Sequence, residues 1–198
     1  MAVGPSACGC VEATACATSF RRVAASCATC RVRITSGGPP DGVRDAPLQD
    51  VLPSLYAANS ERYAGATIRS VCREMHDFYR SRDIKGLQRK CFRAESFPEM
   101  AMLPQDAYRA LVGNDVDYLP LDQCKGRIAA TLALIYPPGI GVVVPGERWD
   151  QRAQPMLDYL HAFEESFNRF PGFNYEVQGV FQERVDGRIV FHSSVVRN

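Results

Sequence analysis

Glu147 and Arg148 follow a Pro145-Gly146 pair, so a carboxylate and a guanidinium stand at one corner of the chain, with Trp149 directly after them. In Pro145-Gly146, as in Pro138-Gly139, proline fixes φ at the first central position and glycine accepts positive φ at the second, the chemistry of a type II turn. The corner therefore presents its charges rigidly. A fixed carboxylate there can attract a cation, or it can form a surface ion pair with Arg148 or another Arg; both uses stay open. Cys72 and His76 are spaced i, i+4, as in a metal pair, yet no further His or Cys is arranged to complete a site, so packing is the expected role. His161 and His192 are isolated in sequence and are not catalytic candidates. Lys85, Lys90 and Lys125 lie in the contexts DIKGLQ, QRKCFR and DQCKGR and read as surface lysines. Gly37-Gly38 leads into Pro39-Pro40, whose missing amides cannot cradle a phosphate. No residue is assigned a catalytic, cofactor-binding or metal role.

The first 46 residues differ in kind from the rest. They hold no Leu, Lys, Tyr or Trp, one Phe (Phe20) and one Ile (Ile34), while five of the eight cysteines fall here: Cys8, Cys10, Cys16, Cys27 and Cys30. Such a segment cannot bury enough apolar surface to offset its ordering entropy, and residues 1–46 are expected to be disordered, with limited proteolysis leaving a body that starts near Leu48. Cys27-Ala-Thr-Cys30 has the spacing of a zinc or redox pair, but its partners would have to come from Cys8, Cys10 and Cys16 with no histidine nearby. A small zinc-binding regulator is the reading that metal analysis would test. The composition also fits a mis-assigned start or read-through upstream of a truncated gene. A disulfide scaffold is disfavoured because no apolar signal segment precedes these residues.

At 198 residues, 46% hydrophobic and 23% charged, the chain suits one soluble domain with an appendage. The longest apolar run, Ile128 to Ile135, is interrupted by Thr131 and is far short of the ~20 residues a spanning helix needs. No membrane partner is expected. Residues 1–46 carry five Arg against three acids, leaving 18 basic and 19 acidic residues for the remainder, so the body has no electrostatic footprint for nucleic acid.

Those side chains need elements to position them. Leu48 to Ala57 reads as a proline-punctuated lead-in. Ile68, Val71, Cys72, Met75 and Tyr79 recur at helical spacing and predict an amphipathic helix. A short helix is expected over 84–94, a strand over 97–102, and a helix opened by Pro104 and closed by Gly113. Val116 to Leu121 reads as a strand that Pro120 confines to an edge or end. Arg127 to Tyr136 reads as a further strand, and Val142-Val143-Val144 as one buried on both faces. Asp150 is a reasonable N-cap for a helix to Phe170, whose stripe is Met156, Leu160, Phe163, Phe167 and Phe170, stopped by Pro171-Gly172. Strands over 175–182 and 188–196 are joined by Asp186-Gly187, a hairpin signal. The expected class is α+β, a small antiparallel or mixed sheet with packed helices.

From Leu48 to the end, PSLYA, MHDFYR, MAMLPQDAYRALV, GRIAA, YPPG, PGER and FPGF follow one another in the order found in the bacterial group III ornithine/lysine/arginine decarboxylases. The sequence resembles the C-terminal domain of that family over residues 47–198, with 1–46 outside it. The resemblance implies pyridoxal phosphate chemistry in the full-length enzymes, which are cytoplasmic homo-oligomers of amino-acid and polyamine metabolism. It also implies that this domain packs on a cofactor domain and shapes the substrate entrance. Glu147 is the acid expected nearest that entrance, since a dicationic substrate is drawn to a fixed carboxylate. In the family the Schiff-base lysine sits in a Ser-x-His-Lys type motif; none of Lys85, Lys90 and Lys125 follows a histidine. The chain is thus expected to bind no cofactor alone and to be inactive alone. A non-catalytic partner that docks on a full-length decarboxylase and modulates its assembly is the alternative. Gln178 before Gly179, where the lysine and arginine enzymes are expected to carry His, leans toward ornithine.

Overall fold

A computed structural model describes residues 45–136, 139–174 and 176–197. The expectations for 1–44, including Cys8, Cys10, Cys16, Cys27 and Cys30, and for Pro138 lie outside the described residues.

The described chain forms two compact units, the first running to Ser81 and including Phe170–Asn174. Its opening stretch is more ordered than a lead-in. Leu48–Val51 (α1) and Pro53–Ala58 (α2) are short helices, the second begun by a proline whose missing amide costs nothing at that position. Thr67 and Ser70 cap one another reciprocally: Ser70 N donates to Thr67 Oγ1 at 3.1 Å and Thr67 N to Ser70 Oγ at 2.9 Å. From that cap runs Ile68–Ser81 (α3), burying Val71, Met75, Phe78 and Tyr79. Phe78 is the member of this stripe that the predicted spacing omits. Tyr63 is fully buried, donates its hydroxyl to Pro171 O at 2.9 Å, and meets Phe173 edge-on.

The second unit comprises Arg82–Arg169 and Tyr175–Asn198. Its helices are Ile84–Cys91 (α4), Pro104–Val112 (α5) and Gln154–Arg169 (α6). Its strands are Val116–Pro120 (β1), Ala133–Tyr136 (β2), Ile140–Val143 (β3), Glu176–Gln178 (β4), Phe181–Val185 (β5) and Arg188–Val196 (β6). They form two antiparallel sheets, ordered β1-β6-β5 and β3-β2-β4, so the class is α+β. β1 is an edge strand, as a proline lacking a ladder donor requires.

β6 is the centre of the unit because both of its faces are covered. Phe191 packs edge-on against Phe167 of α6, and that face is pinned by Asn168, which accepts from Ile189 N and donates to Ile189 O, each at 2.7 Å, and by Glu164, which accepts from Phe191 N at 2.6 Å. Val196, of opposite parity, joins Ala107 of α5 and Ala130 in a second small core. α6 buries Met156, Leu160, Phe163 and Phe167 as its spacing predicts, and Asp150 accepts from Arg152 N and Ala153 N to start a turn of 3-10 helix leading into it.

Three expected strands differ. Residues 175–182 are not one strand: the chain breaks at Gly179, φ +72°, so that β4 joins one sheet and β5 the other. A Cβ on Gly179 would lie 1.5 Å from Leu132 O, a close approach that only glycine permits. Residues 97–102 make a single bridge, Met100 with Glu147, and no ladder. The strand expected from Arg127 begins only at Ala133; before it, Ile128 and Ala129 bridge singly to Arg148 and Val195. The 186–187 hairpin turn has φ +49° and +80°, the both-positive pattern of a type I′ turn.

Candidate functional site

The corner that carries Glu147 is closed from several sides. Gly146 has φ +91°, and Glu147 N donates to Val144 O at 3.1 Å, completing the turn that proline and glycine predict. Gly146 N donates to Ala129 O at 2.8 Å, while Gly146 O accepts from Ala101 N and Met102 N at 3.0 and 3.1 Å. Ala129 N donates to Glu147 O at 2.8 Å. A Cβ on Gly146 would come within 2.3 Å of Met102 O, so the neighbouring 100–102 segment fits only against glycine.

The three side chains of the corner part company. Trp149 is core, 1% exposed, rather than presented with the charges. Arg148 turns away, donating to Gly126 O at 3.0 Å and pairing with Glu99 at 3.6 Å. Glu147 folds back: its Oε2 accepts from Val144 N at 2.8 Å, and among the described residues no cation pairs with it, so the surface ion pair with Arg148 does not form. Glu147 lines a cavity of about 270 Å³ together with Cys91, Phe92, Phe97, Gly141, Val142, Val144 and Met156. Burial pushes the carboxyl above the usual range; the Val144 N–H opposes this, and the Asp150 charge adds to it.

Nothing else in the cavity wall is ionised. The Cys91 thiol donates to Pro155 O at 3.4 Å and burial drives its pKa up to about 11, so it stays protonated at neutral pH and is a poor nucleophile. The aromatic wall escapes sequence reasoning because Phe92 and Phe97 sit in a turn and an extended link, where no periodicity assigns them a face. The signal that could have found them is their setting, two Phe flanking a short helical turn just before Pro98.

The other singled-out residues do not converge here. His76 is exposed and Cys72 half-buried on α3, in the first unit. His161 does have partners, Asp122 at 3.1 Å and Glu164 at 3.9 Å, and His192 stacks on Tyr118 with ring centroids 4.8 Å apart. Among the described residues no group of three or more His, Cys, Asp or Glu is placed to hold a metal ion. Among the described residues no lysine is placed to hold a pyridoxal phosphate. Lys85, Lys90 and Lys125 are all exposed, and Lys90 lies in the last turn of α4, where free carbonyls rather than amides point outward.

Residues 85–197, more than half of the chain, match the family described as Orn/Lys/Arg decarboxylase, C-terminal domain. The chain belongs to that family. The inducible ornithine decarboxylase of Escherichia coli K12 is 49% identical over 144 residues, 73% of this chain and 19% of that protein. That of Lactobacillus sp. 30a is 43% identical over 151 residues, 76% of this chain and 20% of that protein. In structure, lysine decarboxylase A from Pseudomonas aeruginosa superposes with TM-score 0.70 at 33% identity, covering 77% of this chain and 20% of that one. The chain thus spans about a fifth of the length of the decarboxylases it matches. No helix among its described residues is long and apolar enough to cross a membrane.

Proposed function

We propose that residues 47–198 are the C-terminal domain of a cytoplasmic basic-amino-acid decarboxylase of polyamine or amino-acid metabolism, inactive by themselves, and that they work packed against a pyridoxal-phosphate-bearing body. The family match over residues 85–197 carries this reading. Ornithine is the preferred substrate class: Gln178 precedes Gly179, and the ornithine decarboxylases named above share 49% and 43% of aligned residues. Glu147 sits near the substrate entrance and draws in a dication, an assignment supported by its rigid corner and by the lack of any described counter-ion.

The test is kinetic. In enzyme reconstituted with a cofactor-bearing body, Glu147→Gln should raise KM for ornithine about threefold to tenfold at low ionic strength with kcat little changed, because attraction is removed without altering shape. The effect should shrink with salt. An unchanged KM at low salt would end the entrance assignment. A docking partner that modulates assembly is the second reading, favoured by the exposure of Phe92, Phe97, Met100 and Ile140.

A further inference from the structure

We propose that the cavity under the Val144–Glu147 turn is a binding site for a primary alkylammonium ion, and that it favours amines without a carboxylate over amino acids. This goes beyond the entrance reading, since it concerns what the cavity itself holds, independent of any contact with a cofactor-bearing body. Three observations converge on it. Glu147 is half-buried and ionisable, one of its oxygens is committed to Val144 N, and among the described residues it has no counter-ion. A carboxylate partly withdrawn from water and left unpaired is costly, and a cation supplied from outside relieves that cost. The remaining side chains of the wall are apolar, Phe92, Phe97, Val142, Val144 and Met156, with Cys91 kept as a neutral thiol by burial.

That lining sets the chemical class. The ammonium of a short alkylamine can donate to the Glu147 carboxylate while its hydrocarbon stem replaces water against the Phe and Val side chains, and rings beside a cation add attraction. A volume of about 270 Å³ suits a stem of a few carbons. An α-amino acid brings a carboxylate of its own, and the wall offers it no basic side chain: Arg148, the nearest cation in sequence, is turned to Gly126 O and Glu99. A neutral alcohol of the same length gains the apolar contact but not the ion pair. The arrangement therefore discriminates by charge at one end and by its absence at the other.

The test uses the whole chain, isotopically labelled, titrated with n-butylammonium, n-butanol and norvaline up to about 50 mM, the range in which one ion pair with a few apolar contacts binds. Saturable shifts of the Gly141, Val144 and Glu147 amides are expected with n-butylammonium, and affinities at least about tenfold weaker for the other two, since the alcohol loses the charge-assisted bond and norvaline must bring an unpaired carboxylate against the wall. Glu147→Gln should weaken n-butylammonium binding about tenfold while retaining an acceptor for Val144 N; Phe97→Ala should weaken it with the charge intact. No saturable shift in folded protein, equal binding of norvaline, or undiminished binding to Glu147→Gln would each overturn the site. None of these outcomes bears on the KM test, which needs the cofactor-bearing body.

Discussion

Burial lifts the Glu147 carboxyl above its usual range, so the folded state holds that proton more tightly than the unfolded state does. The stability linked to this group is fully present below the unfolded pKa and is lost as pH rises through the folded pKa. Glutamine resembles the protonated form, so Glu147→Gln should melt no lower than the parent at pH 7, with the difference closing at pH 4. A drop of more than about 4 °C at pH 7 would make the carboxylate a structural element of the turn instead. His161 has the same sign with the opposite charge. The neighbouring carboxylates of Glu164, Asp122 and Asp158 raise its pKa against the pull of burial, so its contribution is complete below about 6.5 and fades as pH rises above the folded pKa. His161→Gln should therefore cost stability at pH 5.5 and little at pH 8.5, a contrast that paired thermal melts will read; equal losses at both would mean the imidazole acts through packing alone. The Asp122 partner was not legible in sequence, because it lies 39 positions away and only the fold brings it to 3.1 Å, whereas Glu164 and Asp158 lie within helical reach at i+3 and i−3.

Helices were readable where a stripe of apolar side chains repeats, as in α3 and α6, since periodicity reports a face whatever covers it. Strands were readable as extended chain but not as members of a sheet. In residues 175–182 the alternation slips at Gly179-Val180, which marks a break, but nothing in the sequence says that Gly179 at positive φ sends the two halves to different sheets. Glycine tolerates the break for two separable reasons, its positive φ and the absent side chain. Gly179→Ala meets both, with Leu132 O only 1.5 Å from the new methyl, and should lose about 2–4 kcal/mol in urea denaturation. Gly187→Ala meets only the first, since nothing lies within 4 Å, and should lose about 1 kcal/mol. Similar losses at the two positions would show that the crossing between the sheets relaxes to admit a side chain.

For the molecule as a whole, the question is what meets the apolar side chains left in water near the cavity. Phe92, Phe97, Met100 and Ile140 are 40–54% exposed; Phe92 and Phe97 line the cavity beside Gly141, the neighbour of Ile140, while Met100 bridges to Glu147. Exposed apolar side chains grouped in this way mark a surface that another molecule covers. A decarboxylase body is the partner that the family match supports, and its contact would enclose the Glu147 corner at the same time. Ile140 suits a test because it begins β3 and is not part of the cavity wall. Ile140→Glu should leave the melting temperature within about 2 °C of the parent, as surface substitutions usually do. It should nonetheless weaken association with a purified decarboxylase body lacking this region by at least about tenfold, because a charge would have to be buried at the contact. Analytical ultracentrifugation of the mixed components measures both partners at once. Undiminished association would move the contact elsewhere on the domain, and the exposed ring around the cavity would then have to be explained by the small ligand alone.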